Sequence, residues 1–189
     1  METTRETSAA RDIWATIAAE ARRESSLWRA ALRPDDEQER VPVFSPLGDE
    51  RFALGLETIY EGYLLHYGES RLFEAADRDA RVLLGDYLYA HGLVRIAEHG
   101  EVAVVADLAE LLALCAGLRA EADGRPLADG ELWAATVALL GQGDGALDDA
   151  RAALPGDGDG AALAALAAAA AGRAAVEAAL DLHRARAAA

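Results

Sequence analysis

Two glutamates four residues apart, Glu57 and Glu61 in ALGLETIYEGYLLHY, come nearest to a chemical spacing. On a helix both carboxylates share one face. Such a pair serves as a solvated or hydrogen-bonded face, or as part of a divalent-metal site. The four histidines, His66, His91, His99 and His183, do not complete it. Helical di-iron sites use Glu-x-x-His, which sets a carboxylate and an imidazole on one face. Here Glu61 and His66 are five apart and Glu98 and His99 are adjacent.

Nucleophilic and loop chemistry find no better footing. Cys115 lies inside LLALCAGL, an apolar helical run where a thiol behaves as a small core residue with a raised pKa. As the single cysteine it forms neither an intrachain disulfide nor a cysteine-rich metal site. The serines lack the Gly-x-Ser-x-Gly elbow. All 18 basic residues are arginine, which excludes a Schiff base and a lysine clamp on phosphate. GQGDG and PGDGDG lack the alternating oxygens and closing glutamate of a calcium loop, and neither follows a strand. These residues therefore predict no catalytic side chain, no metal ligand and no cofactor.

The elements that must carry these residues read as helices. The spacing of Ile13, Trp14, Ile17, Leu27 and Trp28 predicts a first helix over about 8–32, stopped before Pro34. RPDDEQERVPVFSPLGDE, residues 33–50, has three prolines and a charge run, and predicts a loop crossing the surface, with Asp35-Asp36 solvated. Phe52, Leu56, Ile59, Tyr60, Tyr63 and Leu64 mark one stripe of an amphipathic helix over 51–67. Further helices are expected over 73–99, 101–121 and 130–140. A short one over 146–154 ends at PGDGDG, and an alanine-rich one closes the chain over 161–186. No window alternates as a strand does, so the fold class is all-α. Residues 1–50 would form an N-terminal helix and Pro-rich loop, and 51–186 a helical bundle, within a single domain. The tyrosines of 60–67, with Tyr87 and Tyr89 on the next helix, are expected to face one another. They would fill a core or line a pocket or partner surface.

Charge narrows the partners. With 33 acidic against 18 basic residues the formal net charge is −15, which disfavours nucleic acid and anionic membrane surfaces. The N-terminus METTRETSAARDIWATIAAE has no apolar signal core, and the most apolar windows are interrupted by charge. A cytoplasmic protein with no membrane span is expected.

ALGLETIYEGYLLH resembles a helix of the trans-prenyl diphosphate synthases, A-x-x-L-E-x-I-H-x-x-S-L-I-H, with Leu56, Glu57, Ile59, Leu64, Leu65 and His66 matching and Tyr60 in place of a histidine. In RVLLGDYLYAHGLVRIAEHGE, the block Gly85-Asp86-Tyr87 is similar to that family's Leu-x-Gly-Asp-Tyr-Leu helix pair, and ALDDARAALPGDGDGAALAALAAAAAGR to its closing segment. The resemblance runs discontinuously over 51–173. It implies a reduced isoprenoid-synthase-like helical bundle in which Glu57, Tyr60, Tyr63, His66, Tyr67, Asp86 and Tyr87 border a cavity or ligand site, with Asp86 as a hydrogen-bonding or capping residue. In the family the first helix leads into Asp-Asp-x-x-Asp, which holds magnesium and an allylic diphosphate. Here those positions read Tyr67, Gly68, Glu69, Ser70, Arg71. The second aspartate-rich helix has no counterpart between Glu131 and Leu154. The resemblance thus implies a non-catalytic relative without metal or cofactor, similar to the small subunits of heterodimeric prenyl synthases. Its partner would be a catalytic synthase chain, or another copy in a homo-oligomer. A stand-alone binding protein for an apolar lipid or isoprenoid, and a degenerate metal-dependent prenyltransferase using Glu57 and Glu61, are the alternatives.

Overall fold

A computed structural model describes residues 3–122, 127–143, 145–157 and 159–187. It is all-α. Among the described residues there is no strand; an isolated bridge between Leu32 and Phe73 is the extended pairing present. Asp144 and Gly158, within the two glycine–aspartate segments, lie outside the described residues.

The expected first helix is two, α1 (Thr3–Glu24) and α2 (Ser26–Ala31). Ser25 breaks them apart: its backbone is extended, and its hydroxyl oxygen accepts a hydrogen bond from the Trp28 N–H, as an N-cap does. The Pro-rich segment does not stay on the surface. Val43, Phe44, Ser45 and Leu47 are buried, in and beside a 3-10 turn at Ser45–Leu47. A second 3-10 turn, Glu50–Phe52, leads into α3 (Ala53–Tyr67).

α3 is the axis of the molecule. It is not the amphipathic helix its stripe suggested, because every residue from Leu56 to Leu65 is buried. A helix apolar on nearly all faces is covered on all of them, and here α4, α9, α1 and the Pro-rich segment supply the cover, with Trp133 packed against Tyr60 and Tyr63. α4 (Arg78–Ala97) starts five residues later than expected, where Asp77 caps it by accepting from the Ala80 N–H at 2.8 Å. Residues 31–33 and 72–74 use the intervening stretch to exchange backbone hydrogen bonds, Arg33 N to Leu72 O and Glu74 N to Ala31 O.

α3 and α4 meet along four glycines. A Cβ built at Gly62 would sit 2.8 Å from the Gly85 carbonyl oxygen, and one at Gly92 would sit 2.8 Å from that of Gly55. Each helix carries its two glycines seven residues apart, so both pairs fall on one antiparallel seam. Only hydrogen fits between the backbones there.

α5 (Val102–Ala120), α6 (Asp129–Ala138) and α7 (Gly145–Asp157) follow, the last extending past Pro155 instead of ending at it. The alanine-rich closing helix is also two, α8 (Ala161–Ala171) and α9 (Arg173–Ala187), parted at Gly172. Gly172 has φ +89°, a left-handed value that costs glycine little and other residues more.

Two apolar clusters result. The larger joins Phe44, Tyr60, Tyr63 and Trp133 to α5, α8 and α9; the smaller packs Trp14, Ile17 and Ala21 of α1 on Leu65, Leu84 and Leu88. No helix among the described residues is long and apolar enough to cross a membrane.

Candidate functional site

The residues singled out by spacing and resemblance divide among three places around α3. At the first, Glu57 and Glu61 converge on Arg71, and all three side chains are sealed from solvent. Arg71 Nη1 donates to Glu57 Oε2 at 2.8 Å and to the Val41 carbonyl at 2.8 Å, while Nε donates to Glu61 Oε1 at 2.5 Å. The other carboxylate oxygens are also taken. Glu57 Oε1 accepts from the Ser45 hydroxyl at 2.6 Å and from the N–H groups of Val43 and Ser45; Glu61 Oε2 accepts from the Ser70 hydroxyl at 2.5 Å and from Leu72 N–H. The guanidinium lies 4.5 Å from the Trp14 ring and 5.0 Å from the Tyr60 ring. Burial alone would lower its proton affinity, but the two carboxylates outweigh that and hold it above the usual arginine range.

This cluster explains why the Pro-rich segment turns inward. An ionised carboxylate buried on α3 needs donors on every side, and residues 43–45 bring two backbone N–H groups and a hydroxyl. Two carboxyl groups share one guanidinium, and the donors of residues 43–45 and 70–72 take up the oxygen positions that it leaves. Among the described residues, no three His, Cys, Asp or Glu side chains converge as ligands for an ion.

The second place is a turn further along α3. Tyr60 and Tyr63 stack at 5.8 Å and pack on Trp133, with 1% and 0% of their surface accessible. Their rings are therefore shut off from bulk solvent, packed among Phe44, Tyr67, Trp133 and His183. The Tyr60 hydroxyl is 2.9 Å from His183 Nδ1, and His183 Nε2 is 3.5 Å from Asp129 Oδ1. The Tyr63 hydroxyl donates to Asp129 Oδ2, which also accepts from Arg119 Nη2 at 2.5 Å. α3, α5, α6 and α9 are thus tied by one polar chain.

The protonation states in that chain are those of a structural network. Burial raises both tyrosines well above the usual range, with the Asp129 charge adding to Tyr63. Burial would raise Asp129 too, but hydrogen bonding and charge from His183, with Tyr63 and Arg119, hold it well below the usual carboxylate range. The Cys115 thiol is pushed up by burial, then by Asp129, and is no nucleophile.

The third place is the solvent edge. His66 stacks on Tyr89 at 5.1 Å and lies 5.6 Å from the Tyr67 ring, with Nε2 3.2 Å from Asp86 Oδ1. Burial lowers the His66 pKa, and Asp86 opposes this in part. Asp86 is largely exposed and caps no helix. Tyr87 does not join this group. Two positions from Tyr89 on a helix, it points the other way and packs on Trp28 at 5.9 Å and His91 at 4.9 Å.

Sequence reasoning missed Arg71, Arg119, Asp129 and His183. One signal for Arg71 existed: glutamates in a helix apolar on all faces require a cation, and every strong cation in this chain is an arginine. Asp129 and His183 are 54 residues apart and nothing local links them. No family model, curated protein or solved structure matches the chain.

Proposed function

We propose that this chain is a non-catalytic helical subunit that works by association with a catalytic chain of the prenyl diphosphate synthase kind, in the cytoplasm. The observation that carries the association is the outward face of α5. Val102, Ala106, Ala109, Ala113, Ala116 and Ala120 are all exposed and recur at alternating intervals of four and three. That is the seam of a helix that lies along another helix. Its three charged residues lie off the seam: Asp107 and Glu110 pair with Arg151, Glu110 half-exposed along one border, and Arg119 pairs with Asp129. Val102 is 82% exposed, and Leu112 and Val105 flank the seam. A solvated helix carries charge outward; this one carries methyl groups, in a chain of net charge −15.

The non-catalytic half of the reading draws on Arg71. Where the family that this chain resembles has its first aspartate motif, the chain places Arg71, and that cation is bound to both nearby carboxylates. Ionising an allylic diphosphate needs the leaving group's charge neutralised, and this cluster offers no free ligand for the task. The metal-dependent alternative loses its supporting residues in the same way, since Glu57 and Glu61 are both committed to Arg71. The apolar-ligand alternative rested on Tyr60 and Tyr63, which are closed off by Phe44, Trp133 and His183.

Co-expression with the catalytic prenyl diphosphate synthase of the same genome tests the proposal. A co-purifying complex with an altered product length is expected, and Ala109→Glu should abolish it while leaving the helical content unchanged. Absence of a complex together with an unchanged product would overturn the proposal. Bound lipid in the isolated monomer, seen by native mass spectrometry, would favour the binding-protein reading instead.

A further inference from the structure

We draw no further inference here: the strongest candidate, the uncharged small-residue seam of α5 from Val102 to Ala120, already carries the proposed association, and nothing else in the structure shows what covers it.

Discussion

α3 and α5 invert the usual arrangement in opposite directions. α3 buries two carboxylates, and α5 exposes a run of alanines and a valine. Both are departures from the rule that charge goes out and apolar surface goes in. They differ in where the remedy lies. α3 finds its counter-ion inside the same chain, with the Trp14 ring of α1, residues 41–45 and residues 70–72 drawn in to complete the cluster. The α5 seam finds no cover among the described elements. The lesson is that a buried charge organises its own chain, whereas an exposed apolar seam calls on something outside it.

The comparison can be broken most sharply at Arg71. Arg71→Ala would leave two buried carboxylates without their guanidinium, and a loss of about 3–5 kcal/mol in urea unfolding is expected. Adding Glu57→Gln and Glu61→Gln to Arg71→Ala should recover part of that loss, because each amide sheds the unpaired charge yet keeps an oxygen that accepts from the donors of residues 43–45 and 70–72. If the triple variant were as unstable as Arg71→Ala, the charge balance would not be what the cluster supplies.

Asp129→Asn removes an ionised acceptor from Tyr63 and Arg119, at a cost of about 2–3 kcal/mol at neutral pH. It also has a pH signature. A carboxylate held below its unfolded value contributes stability in full above the usual aspartate range, and that contribution is lost as pH falls through the folded value. Acid unfolding of the parent protein should therefore steepen below about pH 5, and the Asn variant should show a shallower acid limb.

Gly92→Ala tests the seam that presses α4 onto α3. The added methyl would meet Ile59 and the Gly55 carbonyl, and about 1–3 kcal/mol should be lost. Ala109→Glu sits at the other extreme. On a face that α5 leaves open it should change the stability of the isolated chain by less than about 0.5 kcal/mol. A large loss there would mean that the seam is covered within the chain after all.

Much of this architecture was legible beforehand. The all-α class and the helices expected over 101–121 and 130–140, found at Val102–Ala120 and Asp129–Ala138, follow from periodicity and glycine placement, which act over a few residues. The interruptions at Ser25 and Gly172 were less visible, because a cap and a left-handed residue each break a helix without disturbing the apolar pattern around them. The candidate site was legible by halves. Glu57 and Glu61 were recognisable as a pair, but their environment was not, since a solvated face and a buried one have the same spacing.

By itself, the amino-acid sequence determined the helical class, the strongly acidic balance, the want of lysine chemistry and the pairing of Glu57 with Glu61 on one helical face. The tertiary structure alone decided that this arginine is sealed between two glutamates, that Tyr60 and Tyr63 are core rings, that His183 reaches Asp129, and that Tyr87 turns away from Tyr89's neighbours. The physical reason is range. Helix formation is settled by neighbours within a turn or two, whereas the partner of a buried charge is whichever group the fold brings within about 3 Å, however distant along the chain.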